Sequence, residues 1–189
     1  VMGSDLDAET RAAANQVESF FNKYYGIAEC LSATQIIRDT TTEVTEGGIA
    51  AHRLYGSLLE TLRLIQQNYE EDIDFIWVAN LKTGQILQND GTIYEKSQVD
   101  YTTRSWYSLV MDAQDTITTE AYIGSNSNDI MVTVASPVFV DGSIEGIIGI
   151  DLNMDHLNQI LSTIKVGDTG YITLYDLQNE IVYHPDSSV

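Results

Sequence analysis

Apolar residues recur at three- and four-residue spacing from residue 5 to residue 44. Leu6, Ala13, Val17, Phe20, Phe21, Tyr24, Ala28 and Leu31 fall on one stripe, interrupted by no proline and only by Gly26. That period predicts one long amphipathic helix, with Ser4 and Asp5 able to cap it. Past the glycines of TEVTEGG a second helix is expected, with Ala51, Leu54, Leu58, Leu62 and Ile65 on one face. At residue 73 the period drops to two. DIDFIWVANLKTGQILQNDG predicts two strands around a turn at LKTG, with Ile73, Phe75, Trp77 and Ala79 alternating. A short helix through TRSWYSLVMDAQ follows, then strands in TITTEAYIG, DIMVTVASPVFV and SIEGIIGIDLN. Asp141-Gly142 is a hairpin turn between the last two. NMDHLNQILSTI predicts a helix capped by Asn153 or Asp155, and KVGDTG separates it from a final strand pair.

This order predicts an α+β fold: a long N-terminal helix and a central antiparallel sheet of about five strands flanked by helices. The final pair, GYITLYDLQNEIVYHP, repeats the strand, polar turn, strand pattern of the first hairpin. The expected division is N-terminal stalk helices over 1–70, a sheet module over 71–165 and, from 166 to 189, the start of a second, truncated module of the same kind. The abrupt start and end lead us to expect an excised piece of a longer chain.

Charge narrows the partners. The 189 residues carry 28 acidic and nine basic side chains, for a net charge of −19. Nucleic acid and anionic membrane surfaces need clustered Lys and Arg, so neither is an expected partner. The lone cysteine, Cys30, excludes a disulfide framework, and its place on a helical face predicts a buried or interface thiol. No run of 18 apolar residues spans a bilayer. His52, His156 and His184 lack metal-ligand spacing, and the first two are expected to be solvated. QNDGTIYE lacks the alternating carboxylates of a calcium loop. There is no serine elbow, Cys–His arrangement or phosphate loop, so a binding module is favoured over an enzyme, with no cofactor and no metal.

The candidate chemistry lies in RSWY, residues 104–107, and in two later positions. Arg104 offers a permanently charged fork of donors for a carboxylate. Trp106 and Tyr107 offer rigid walls. Tyr122 ends one strand, and Asp151 ends another after the apolar run from Ile147 to Ile150. A carboxylate at the end of a buried strand needs a partner, which a ligand ammonium supplies. Cation, anion and intervening aromatics complement a free α-amino acid. On residue types alone, Arg104 and Asp151 serve equally well as partners for each other or for the surface, with the aromatics as core.

DYTTRSWY, TEAYIG, VASPVFVDGSIEGIIGIDLNMDHL and GDTGYITLYDLQNEIVYHP resemble the double Cache (dCache_1) extracytoplasmic sensor domains of bacterial and archaeal chemoreceptors and histidine kinases. The resemblance implies a long N-terminal helix, a membrane-distal PAS-like module that binds the ligand, and a membrane-proximal one beginning near Gly170. It also implies a membrane anchor outside this segment. In the amino-acid-binding subset of that family, Arg104, Trp106, Tyr107, Tyr122 and Asp151 match the motif. Arg104 and Trp106 are thereby expected to hold a ligand carboxylate, and Tyr107, Tyr122 and Asp151 its ammonium. Two positions depart from the motif: Val99 stands where its first tyrosine belongs, with Tyr101 nearby but out of register, and Ser105 stands for its proline. The alternatives are a sensor for another small amine or carboxylate, or a module that docks a protein partner. A homodimer is permitted through the stripe of Val17, Phe20, Tyr24 and Leu31, which serves equally as intramolecular core.

Overall fold

A computed structural model describes residues 2–43, 46–123, 130–164, 166–167, 170–176 and 179–186, with side chains from residue 7 onward. The capping expected of Ser4 and Asp5 concerns side chains outside the described residues. The N-terminal stripe forms helix α1, Met2–Ser32, but the helix does not run on to residue 44. It breaks and resumes as α2, Gln35–Thr42. No glycine or proline stands at the break. The Ala33 amide still reaches the Glu29 carbonyl at 3.2 Å, but the Thr34 amide closes onto Leu31 at 2.9 Å, one residue short of a helical bond, while Ser32 Oγ and Thr34 Oγ1 donate to the Glu29 and Leu31 carbonyls. Ser136 Oγ donates to Ser32 Oγ at 3.1 Å, tying the break to the sheet.

The stripe is spent within the chain. Phe20, Tyr24 and Leu31 are buried in the main core and Val17 packs against it, so these side chains are core and not a free dimer seam. Cys30, expected as a buried or interface thiol, is not buried but exposed on α1. The second helix, α3 (Tyr55–Asn68), starts later than Ala51 because a 3-10 turn over Ile49–Ala51 comes first. His52 is buried rather than solvated: one ring nitrogen meets Glu43 Oε2 at 2.9 Å and the other accepts the Leu54 amide at 3.1 Å.

Strands β1 (Ile73–Asn80), β2 (Ile86–Gln88) and β3 (Ile93–Tyr94) form a meander. Helix α4 (Ser105–Ala113) leads to β4 (Ile117–Thr118), β5 (Tyr122–Ile123), β6 (Ile130–Val140) and β7 (Ser143–Asn153). The seven strands pair in the order β3-β2-β1-β7-β6-β4, with β5 also on β6, and every pairing is antiparallel. The stretch expected as one strand through TITTEAYIG is two. Between them the Thr119 amide donates to the Thr133 carbonyl, but the Thr133 amide donates to Thr119 Oγ1, a side chain standing in for the ladder carbonyl. Asp141 and Gly142 both have positive φ, 51° and 83°, as a primed hairpin turn requires.

Period-two alternation divides the sheet's two faces. Ile76, Val78, Val134, Ile148 and Ile150 join the helices in one core. Trp77, Ala79, Ala135 and Ile147 face the other way, with Tyr101, Trp106 and Val110 of the α4 region. Helix α5 (Asp155–Ser162) follows β7; its N-cap is Met154 and not the expected Asn153 or Asp155, although Asn153 Oδ1 accepts the Asp155 amide at 2.8 Å. His156 of α5 is not simply solvated: with Lys23 and Tyr24 of α1 it holds the buried Asp72 carboxylate. Strands β8 (Leu174–Tyr175) and β9 (Ile181–Tyr183) form a separate two-stranded sheet.

Candidate functional site

The cavity on the second face is built from a missing side chain. Gly149 of β7 pairs with Trp77 of β1, and a Cβ on Gly149 would stand 2.0 Å from the Trp77 ring. The glycine lets the indole lie flat across the neighbouring strand. From there Trp77 Nε1 donates to Asp151 Oδ1 at 3.1 Å. Trp106 packs on this indole at 4.6 Å between ring centres, completing an aromatic wall.

Asp151 pairs with Phe75 on one side and Thr133 on the other, so its carboxylate stands on the cavity face beside the Thr133 hydroxyl. Thr133 Oγ1 donates to Asp151 Oδ1 at 2.8 Å, and Tyr122 shares a 2.7 Å hydrogen bond with Thr133. A carboxylate can only accept, so the donor order is Tyr122 to Thr133 to Asp151. Burial pushes the Asp151 carboxyl up to about 6, although Trp77 and Thr133 stabilise its charge. The Tyr122 hydroxyl is also raised, first by burial and then by the Asp151 charge. Among the described residues Asp151 forms no ion pair.

Arg104 stands at the entrance to α4, its own backbone extended and its carbonyl accepting the Tyr107 amide at 3.1 Å. Its side chain is exposed, lines the cavity and has neither hydrogen bond nor ion pair among the described residues. Arg104 and Asp151 therefore do not pair with each other. The cavity measures about 490 Å³ and is lined by Arg104, Trp106, Tyr122 and Asp151 together with Phe75, Trp77, Gln88, Tyr94, Val99 and Thr133. Four of the five expected residues meet there. Tyr107 does not line it; its ring packs behind, edge-on to Trp106 and Tyr101. Tyr101 does not substitute for the motif tyrosine, because its hydroxyl is committed to the Leu81 carbonyl at 3.1 Å. Val99 does line the cavity, so the missing hydroxyl is missing from the wall itself.

A sheet of this kind behind an N-terminal helix has counterparts. The family model described as Cache domain, dCache_1, matches residues 2–189. The chain belongs to the Cache domain family. Over 86 residues this Cache domain is 33% identical to the methyl-accepting chemotaxis protein PscA of Pseudomonas syringae pv. tomato, a match covering 46% of the chain and 14% of that receptor. The fold is that of the Campylobacter jejuni chemoreceptor Tlp3 ligand-binding domain solved with L-valine, at TM-score 0.72 and 16% identity over 96% of this chain and 70% of that one. It is equally that of the Pseudomonas aeruginosa amino acid chemoreceptor PctC ligand-binding domain solved with GABA, at TM-score 0.72 and 20% identity over 96% and 74% of the two chains. These are PAS-like sheets, and no helix among the described residues is long and apolar enough to cross a membrane.

Sequence reasoning missed Trp77 as the donor that orients Asp151. Gly149, a glycine inside an otherwise apolar strand, was the available signal of a close approach. It also missed Gln88 and Tyr94, because β2 and β3 are too short for their alternation to assign a face.

Proposed function

We propose that this Cache domain is the extracytoplasmic ligand-binding segment of a transmembrane signalling receptor, and that the cavity over β1 and β7 takes an α-amino acid. The observation that carries the reading is a pair of unneutralised poles on one cavity: a carboxylate held only by neutral donors and a guanidinium with no partner among the described residues. A zwitterion supplies both missing charges. Asp151, with Thr133 and Tyr122, takes the ammonium; Arg104, above the Trp106 wall, takes the carboxylate. That the similar Tlp3 and PctC domains were solved with L-valine, an α-amino acid, and GABA, a γ-amino acid, supports a ligand carrying both an ammonium and a carboxylate. In this proposal residues 71–165 are the membrane-distal module, and the β8–β9 pair opens a membrane-proximal one. The receptor's anchor and output domain lie in the remainder of a longer protein. A ligand that prefers one arrangement of the cavity shifts the domain toward it by that difference in affinity alone.

Thermal unfolding of the purified domain against amino acids, amines and small carboxylates tests this. At a hundred times its Kd, a ligand of the folded state adds about 2.7 kcal/mol. The expected result is a concentration-dependent rise in Tm with an α-amino acid, lost in Arg104→Ala and in Asp151→Ala. A rise with a simple amine that survives Arg104→Ala would make the site an amine sensor, with Val99 marking the change. No rise with any compound would overturn the small-ligand reading.

A further inference from the structure

The far end of the cavity carries an amide that no described protein group pairs and that is open to the cavity. Gln88 is 8% exposed, lines the cavity, and its side chain makes no hydrogen bond among the described residues. Its neighbours show how unusual this is. Gln85, equally buried, accepts the Ile49 amide at 2.9 Å and donates to Glu95 at 2.8 Å. Asn89 accepts the Ile76 amide at 3.0 Å. An amide that the fold leaves unpaired toward a cavity is paired by water until a ligand group enters and takes its place.

Register fixes where this amide stands. Gln88 pairs with Trp77, and Phe75, one same-face step along β1, pairs with Asp151. Ordinary strand spacing puts the Gln88 and Asp151 Cα atoms about 12 Å apart, on either side of the Trp77 ring. Tyr94 of β3 lines the same end. Among the described residues the only charged ones on the lining are Arg104 and Asp151, and the pose proposed above commits both to the α-carboxyl and α-amino groups. A charged ligand side chain would therefore be buried at the Gln88 end without a counter-ion.

We infer that Gln88 reads the ligand's side chain, and that the preferred ligand is a neutral amino acid ending in a carboxamide or hydroxyl, lying across Trp77. This rests on the amino-acid reading above and adds the side-chain class to it. The test is calorimetric titration of the domain with L-glutamine, its apolar counterpart L-methionine and its charged counterpart L-glutamate. Glutamine is expected to bind about ten- to a hundredfold more tightly than either, the cost of leaving one buried polar group unpaired. Gln88→Leu is expected to erase the preference over methionine while keeping the dependence on Asp151; Gln88→Met serves if the leucine variant does not fold. Methionine binding as tightly as glutamine to the unaltered domain, or an unchanged ratio in the Gln88 variant, would overturn this inference alone. Failure of every amino acid to bind would overturn it together with the amino-acid reading.

Discussion

Asp72 and Asp151 sit near the same end of the β1–β7 pair, on opposite faces of one sheet, and have been treated in opposite ways. On the helical face, burial would push the Asp72 carboxyl up, but hydrogen bonds from Tyr24, Lys23 and His156 outweigh it and hold the carboxyl below its ordinary value. On the cavity face Asp151 has, among the described residues, the neutral donors Trp77, Thr133 and Tyr122 and no cation; burial wins, and its carboxyl rises to about 6. The same side chain is satisfied in one place and left wanting a cation in the other. The difference lies in the supply of charge. Asp72 ties α1, β1 and α5 together and is architecture; Asp151 is costly to the empty fold, a cost that the ligand proposed above would relieve.

The largest effect that would break this contrast is at Asp151. Asp151→Asn keeps an acceptor for Trp77 and Thr133 but removes the charge, so amino-acid affinity should fall about a hundredfold or more by calorimetry. The empty domain should gain stability. The wild-type carboxyl moves from 3.8 to about 6 on folding, so protonation stabilises the fold fully below 3.8 and that stabilisation is lost as pH rises through 6. The difference is up to about 3 kcal/mol at pH 8. The Asn variant should therefore melt several degrees higher than wild type at pH 8 and not at pH 4. A variant that loses both binding and stability would place Asp151 with Asp72, as architecture.

Asp72→Asn should do the reverse. Removing one partner from a buried charged cluster costs about 3 kcal/mol, which lowers Tm by roughly 6–12 °C in a domain of this size, while amino-acid affinity in the folded variant stays within about twofold. The sign with pH is also opposite. Because its folded value is depressed, the Asp72 contribution is present above the ordinary carboxyl value and is lost as acid protonates the folded state.

Gly149→Ala sharpens the comparison from the cavity side. A methyl group 2.0 Å from the Trp77 ring must displace the indole, costing about 1–3 kcal/mol of stability. The displaced indole takes its donor away from Asp151, so affinity should fall as well; equal affinity in a destabilised variant would show that the Trp77 hydrogen bond does not orient the carboxylate.

The two faces also differ in how much of them could be read from sequence. The helical face announces itself through Phe20, Tyr24, Leu58 and Leu62 at helical spacing, all of them buried. The poles of the cavity were legible too, since a lone arginine beside aromatics and an aspartate ending an apolar strand are each anomalous. What was not legible depended on register. Nothing in TITTEAYIG announces that the Thr119 hydroxyl replaces a ladder carbonyl. That Gln88 and Asp151 share a face is decided by three-strand pairing, which no local period encodes. The end of α1 at Ser32 has neither glycine nor proline to announce it; the chain closes there through the Thr34 amide onto Leu31.

The smallest effect, and the one that isolates the charge of Asp151 without a mutation, is the pH dependence of binding. An ammonium is held by the carboxylate and not by the carboxylic acid. Above the empty-site value of about 6, Asp151 is already ionised and affinity for an amino acid should be flat to pH 8. Below it, ligand must displace a proton, and Kd should rise tenfold for each pH unit, about 1.4 kcal/mol, until the ligand-bound value is passed. Asp72 adds nothing in this window, because its depressed carboxyl stays ionised throughout. Titrations at pH 5, 6, 7 and 8 and fixed ionic strength measure the slope directly. A Kd that does not change between pH 7 and pH 5 would mean that the ammonium is held by something other than this carboxylate. The two aspartates would then differ only in their hydrogen bonds, not in their use.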